Sequence, residues 1–221
     1  MLKNKTMADS RTAKYEDLIK IAKCHRKAFP KSLSSAMGVT YLTKMFEWYL
    51  VDSRAFLFYI QENELCMGYC GGLKFDGTAR MGSASSMIQH SYKQAVKTFL
   101  MKPWLFFYPE FLSKYKLAAR NVLKRIKLIV GIKEQSKPLN NSEAVPHTGL
   151  IVIGVDPKVQ GKGYGSQLLQ EFERVSKNLG FDKMMLTVRT DNSIAIKSYK
   201  RNGWSITKVE GVSTSMEKRL L

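Results

Sequence analysis

The feature that most constrains this chain is an apolar strand-length run that ends in a glycine-rich turn and opens into an amphipathic helix. Thr148–Val155 (TGLIVIGV) reads as a buried strand. It is followed by Val155-Asp156-Pro157-Lys158-Val159-Gln160-Gly161-Lys162-Gly163-Tyr164-Gly165, with three glycines in five residues. From Gly163 to Leu179 the apolar residues Leu168, Leu169, Phe172, Val175 and Leu179 share one helical face. Glu173 and Lys177 sit four apart and support that helix, and Gly180 ends it. Glycines let backbone amides converge with no Cβ in the way. A helix N-terminus adds unpaired N–H groups and the positive end of the dipole, and Lys162 adds charge. On physical grounds this turn is a phosphate or pyrophosphate cradle. A Walker A loop (GxxxxGK[ST]) is absent, and Gly161, Gly163 and Gly165 give G-x-G-x-G rather than the dinucleotide fingerprint G-x-G-x-x-G.

The rest of the C-terminal third keeps alternating. Lys183–Arg189 reads as a strand, Ser193–Arg201 as a short helix, and Trp204–Val209 and Thr214–Leu220 as strands. That order is an α/β arrangement. Upstream, residues 1–14 read as a basic tail. A helix follows from Tyr15, with Leu18, Ile21, Ala22, His25, Ala28 and Phe29 on one face, stopped by Pro30. Leu42, Met45, Phe46, Tyr49 and Leu50 mark a second amphipathic stretch. Arg54–Gln61 and Leu65–Leu73 form a hairpin around the polar turn Glu62-Asn63-Glu64. Gly68, Gly71 and Gly72 in its second strand mark a bulge or a close approach of backbone to ligand.

Residues 77–147 differ in kind. GTARMGSASSM reads as a small, polar, mobile loop. Tyr92–Met101 is a helix candidate, Trp104–Phe111 is a dense aromatic cluster, Leu117–Ile132 is a basic helix candidate, and Lys137–Pro146 reads as linker. Between Lys93 and Lys137 eleven basic residues face two acidic ones, a net +9, half of the chain's formal +18. Such a balance calls for polyanionic partners: nucleic acid, an anionic membrane or phosphate-bearing small molecules. Cys24, Cys66 and Cys70 fit neither a disulfide scaffold nor a zinc spacing, so no metal is expected. With no secretory leader and no apolar run long enough to span a bilayer, the expected location is cytoplasmic, or peripheral to the inner membrane face.

Gln160-Gly161-Lys162-Gly163-Tyr164-Gly165 resembles the Q/R-x-x-G-x-G/A signature of the GCN5-related N-acetyltransferase (GNAT) family, and Val155-Asp156-Pro157 is similar to the turn that often precedes it. Val188–Trp204, with Asn192 near a helix start, Tyr199 seven residues on and Gly203-Trp204 after it, resembles the family's downstream pattern. The resemblance runs from Thr148 to Trp204, extends by topology to residues 15–75, and fails for 77–147. It implies one domain over 1–221 with an α/β fold of the GNAT acyltransferase type: a central mixed, twisted β-sheet flanked by helices, with 77–147 as a mainly helical basic insertion. It also implies acetyl-CoA as co-substrate. Its pyrophosphate would lie on the amides of Gln160, Gly161, Lys162, Gly163, Tyr164 and Gly165, and its arm against Ile153, Val155 and Asn192. Tyr199 would protonate the leaving thiolate.

For the base, the position where some relatives carry Glu is Gly149 here, which leaves His147, two residues earlier, as the candidate. A loop histidine, a water relay or an already neutral amine are the alternatives; His90 and Asp76 are weaker candidates for touching the acceptor. The expected activity is direct transfer to a primary amine, with an amino sugar on a nucleotide or lipid carrier first and a peptide or protein amine second. The rival is a non-catalytic coenzyme A-binding module that docks a polyanion or membrane. For the insertion, the readings are an anionic acceptor, an anionic membrane contacted through 93–137, or RNA; no RNA-reading motif is visible.

Overall fold

The structure is a computed structural model that describes residues 9–77, 83–112 and 145–220. Its frame is a seven-stranded sheet in the order β1-β2-β3-β4-β5-β7-β6. The strands are β1 (Ser10–Thr12), β2 (Ala55–Glu62), β3 (Leu65–Phe75), β4 (His147–Val155), β5 (Lys183–Arg189), β6 (Ser205–Glu210) and β7 (Ser213–Arg219). All neighbours are antiparallel except β4 and β5, so the sheet is mixed as expected.

Helices α1 (Leu18–Ala28) and α3 (Val39–Val51) share a core with one sheet face, where Ile21, Leu42 and Phe46 pack with Leu57, Tyr69 and Leu73. Between them lies the short α2 (Leu33–Met37). The opposite face is covered by α5 (Tyr164–Asn178) and α6 (Ser193–Arg201), through Leu168, Phe172 and Tyr199. The apolar stripes read from the sequence are buried or half-buried except at their C-terminal ends, Phe29 and Leu179, which are exposed. α4 (Ser83–Met101) packs on α3 and leads into a 3-10 turn, Pro103–Phe107, whose Leu105 is fully buried beside Met37 and Tyr41.

Three expectations need correction. The N-terminal tail is not all tail: Ser10–Thr12 pairs with Phe58–Ile60 as an edge strand. The loop read at residues 77–87 ends sooner, because α4 begins at Ser83, nine residues before the helix start that the sequence suggested. Small polar residues lowered the apparent helical periodicity there; inside α4, Ser91 is satisfied by its own helix, its hydroxyl donating to the Met87 carbonyl at 2.9 Å. The hairpin turn is two residues, Asn63 and Glu64, both at positive φ (47° and 60°), with Glu62 still in the strand. The basic helix expected at Leu117–Ile132, and most of the expected linker, lie outside the described residues.

Candidate active site

β4 positions the site. Along its first residues it is paired on both edges: with β5 at Thr148–Met184, Gly149–Met185 and Leu150–Leu186, and with β3 at Leu73–Gly149 and Gly72–Leu150. The β3 register then jumps from Gly72–Leu150 to Gly71–Val152, so Ile151 is an extra residue on β4. Such a bulge bends a strand and increases its twist. At that point pairing with β5 stops, while pairing with β3 continues to Gly68–Val155. The two parallel strands part and leave one edge of β4 open. The Asp156 amide donates to the Met67 carbonyl on the β3 side at 2.8 Å. By alternation, Val155 and Ile153 turn their amides and carbonyls to the open edge.

A cavity of about 900 Å³ occupies this gap. Its walls are β4 from Leu150 to Val155, the end of β5, the glycine turn and the inner side of α6. Of the residues singled out from the sequence, Ile153, Val155, Gln160, Gly161, Gly163, Tyr164, Gly165, Asn192 and Tyr199 all line it. Lys162 sits in the turn but is exposed and outside the lining.

The turn is held by specific bonds. Asp156 accepts from the Lys158 amide at 3.0 Å and from Lys27 Nζ of α1 at 2.8 Å. Burial alone would raise the Asp156 pKa; the bonds from Lys27 and the Lys158 amide outweigh it and hold the carboxyl below its usual range. The Gln160 side chain donates to the Val155 carbonyl at 3.3 Å. Gly161 (φ 77°) and Gly163 (φ 93°) are left-handed, and an added Cβ at either would meet nothing within 4 Å. The first amides of α5 have no partner within the helix, and no acidic residue stands in the first turn to neutralise them; the amides of Gln160 and Lys162 are already bonded, to the carbonyls of Pro157 and Val159. The Tyr164 hydroxyl donates to Glu62 at 2.5 Å and its ring is buried, so the Tyr164 side chain fastens the helix start to β2. What it offers the cavity is backbone.

Asn192 caps α6, its Oδ1 accepting from the Ala195 amide at 3.2 Å, which leaves its Nδ2 as the donor. Tyr199, 9% exposed, sits on α6 beside Trp204, and burial pushes its pKa up to about 12.

The structure does not bring the histidine candidates into the cavity lining. His147 starts β4, stacked on Phe75 with ring centroids 4.7 Å apart, and its Nδ1–H donates to the Val145 carbonyl at 2.8 Å. His90 lies between α4 and α3, 3.5 Å from Glu47. Asp76 is exposed just past β3, its charge acting on Arg54. The histidine that does line the cavity is His25, read from the sequence only as part of a core face. Burial pushes its pKa down to about 4. Tyr69, whose phenol burial keeps protonated, donates to His25 Nδ1 at 2.5 Å, and His25 Nε2–H donates to Ser34 at 3.2 Å. The signal available was a polar residue in the middle of the apolar stripe of α1. Among the described residues no three His, Cys, Asp or Glu converge as a metal site.

A parallel pair that parts at a bulge, a glycine turn opening a helix, and a capped helix carrying a buried tyrosine agree with the comparisons to known proteins. Residues 129–204 match the model of the acetyltransferase (GNAT) family. That match spans about a third of the chain. A mycothiol acetyltransferase of Mycobacterium sp. (strain JLS) is 36% identical over 63 residues, which are 27% of this chain and only 21% of that relative's length. Among solved structures, the PaiA N-acetyltransferase of Thermoplasma acidophilum in complex with coenzyme A superposes with a TM-score of 0.55 at 12% identity, covering 96% of this chain and 98% of that one. The ribosomal-protein-S18-alanine N-acetyltransferase of Escherichia coli gives 0.51 at 15% identity, covering 97% and 94%. At such identities the likeness is one of fold.

Proposed function

We propose that this chain is a GNAT-type, acetyl-CoA-dependent N-acetyltransferase that moves the acetyl group directly to a primary amine. The observation that carries the reading is the open edge of β4. It presents the backbone of Ile153 and Val155 beside Tyr199 and ends in the anion-ready turn Gln160–Gly165. These residues fit the coenzyme: free strand polar groups for the amides of its arm, and converging N–H groups with room in front of them for its pyrophosphate. When bound, acetyl-CoA supplies an activated acyl thioester.

The chain's own residues hold and orient. Tyr199 is protonated at every physiological pH, so it offers an O–H where negative charge develops on sulfur. A phenol near 12 is a weaker acid than a thiol near 8.5, so Tyr199 stabilises the thiolate by hydrogen bonding more than by outright protonation. Among the described residues no carboxylate lines the cavity, and His25, near 4, is a poor base. The amine therefore enters in its neutral form, and its proton leaves through solvent, with His147 as an acceptor across water. Cys24, Cys66 and Cys70 are buried and none lines the cavity, which favours direct transfer over an acyl-cysteine.

For the acceptor we infer an amino sugar on a nucleotide or lipid carrier, met in the cytoplasm, with a peptide amine second. Relatives named for mycothiol and for a ribosomal-protein alanine show that the fold does not choose. The test is thiol release from acetyl-CoA against a panel of nucleotide amino sugars, polyamines and N-terminal peptides. Tyr199→Phe is expected to lower kcat about 100-fold while the coenzyme Kd stays within about twofold. Tight coenzyme binding without turnover on any amine would replace the enzyme by a binding module.

A further inference from the structure

A surface helix ordinarily turns its charged residues outward. α4 exposes an apolar row as well. Its inner side is ordinary: Ser91 and Thr98 are buried and bonded to their own helix, and Ala95 and Phe99 pack beneath. Its outer side carries Ile88 (58% exposed), Tyr92 (45%), Val96 (40%) and Leu100 (78%) at four-residue spacing. The row continues in Met101, the last residue of the helix, and past it in Trp104 and Phe107, all more than half exposed. Lys93 and Lys97 flank the row, and α4 contains no Asp or Glu.

Contiguous exposed apolar surface of this kind marks a contact site, and three observations choose the partner. First, lysines beside an apolar row, with no carboxylate on the helix, complement negative charge. Second, tryptophan and phenylalanine at the end of the row suit the boundary between headgroups and acyl chains. Third, the chain carries a formal +18, so a second copy approaching through Lys93 and Lys97 is repelled. We propose that the outer face of α4 and the turn after it dock on an anionic bilayer surface. The basic aromatic composition of 93–137 pointed to this partner, and the structure assigns the contact to a defined helix face that begins earlier, at Ile88.

The unit is tied to the site. Lys102 donates to the carbonyls of Ala36 and Met37 at 3.3 and 3.2 Å, and the Tyr108 hydroxyl donates to the Lys31 carbonyl at 2.6 Å. The segment so held runs through Ser32 and Ser34, which line the cavity. Docking therefore sets that wall of the cavity toward the bilayer. The proposal does not rest on acetyl transfer.

The test is flotation of the full chain with phosphatidylcholine vesicles, with and without about one third phosphatidylglycerol. The chain is expected to float with the anionic vesicles only. Leu100→Ser and Phe107→Ser are each expected to weaken recovery about tenfold with unchanged thermal melts, since both side chains are exposed. Lys93→Glu combined with Lys97→Glu is expected to weaken it further and to flatten its salt dependence. No recovery with anionic vesicles overturns the proposal. So does recovery that ignores Leu100→Ser and Phe107→Ser, which reduces the effect to net charge alone. A wild-type dimer that Leu100→Ser splits overturns it in favour of self-association.

Discussion

The glycines of the turn and the glycines of the β3–β4 ribbon look alike in sequence and do opposite things. Gly161 and Gly163 have backbone angles that disfavour a side chain, yet their surroundings are empty. Gly71, Gly72 and Gly154 have no such angles, yet there is no space. A Cβ on Gly71 would sit 2.6 Å from the Tyr49 ring, one on Gly72 2.3 Å from Phe56 and 2.6 Å from Phe172, and one on Gly154 2.7 Å from Tyr69. The first set shapes a backbone around a space meant for something else. The second lets aromatic rings press on the sheet from both faces, and so builds the strand whose edge then opens. A left-handed glycine beside open space shapes a turn, as Gly180 and Gly211 also do, and it points to a ligand where, as at Gly161 and Gly163, it lines a cavity; a glycine pressed by a ring points to packing.

The sharpest break of that contrast is Gly72→Ala. Its methyl would enter between Phe56 and Phe172, which are stacked at 5.5 Å, and Phe172 is fully buried. Phe172 has no room to retreat and only the half-buried Phe56 can give way, so overpacking should cost about 3 kcal/mol, near the top of the usual range. The check is chemical denaturation. The midpoint should fall with the slope unchanged, while the fraction that remains folded binds coenzyme A as wild type. A neutral Gly72→Ala would show that the ribbon glycines are not packing glycines.

Gly163→Ala sharpens the other half. The left-handed backbone costs a non-glycine residue about 1 kcal/mol, and no neighbour adds to it. Stability should therefore fall by roughly a third as much as for Gly72→Ala. Affinity should suffer more, because the methyl stands where the amides of Gly163, Tyr164 and Gly165 converge. We expect coenzyme A, measured by calorimetry, to bind about tenfold more weakly, with little change for a ligand that lacks the pyrophosphate.

The legible parts of the molecule were those where a local rule acts alone. The strand–turn–helix at Thr148–Leu179 and the cap at Asn192 obey short-range chemistry, and they fall where the sequence put them. The open edge of β4 was expected only through family resemblance. Its immediate cause, the extra residue Ile151, is a register relation between two strands about 80 residues apart in the chain, and no window of sequence contains it. The start of α4 was missed because small polar residues mask its period; Ser86 there bonds to Trp48 and Asp52, more than 30 residues away in the chain. Tyr164 was assigned to the ligand through its backbone, and it does line the cavity; the fastening of its side chain was not foreseen, because Glu62 is about 100 residues away in sequence and 2.5 Å away in space. His25 was hidden by its company: a histidine in an apolar stripe looks like core until the cavity behind it is seen.

That histidine supplies the smallest effect and the subtlest test of the packing side. Tyr69, the ring that forbids a Cβ at Gly154, donates a hydrogen bond to His25, so the ring's position depends on a neutral imidazole. His25 titrates near 4 in the folded chain against about 6.5 when unfolded. Below about 6.5 the unfolded chain takes up a proton that the folded chain refuses, so stability falls as pH drops and the loss is complete only below about 4. Between pH 7 and about 5.5 the loss should be about 1 kcal/mol, at 1.36 kcal/mol per pKa unit. His25→Gln keeps an acceptor for the Tyr69 hydroxyl but does not titrate. Its unfolding free energy, followed by denaturant titration at several pH values, should lose that slope relative to wild type. Parallel slopes would mean that the imidazole is hydrated in the cavity rather than buried against it. The site would then hold a titrating base after all, and the neutral amine would no longer be required.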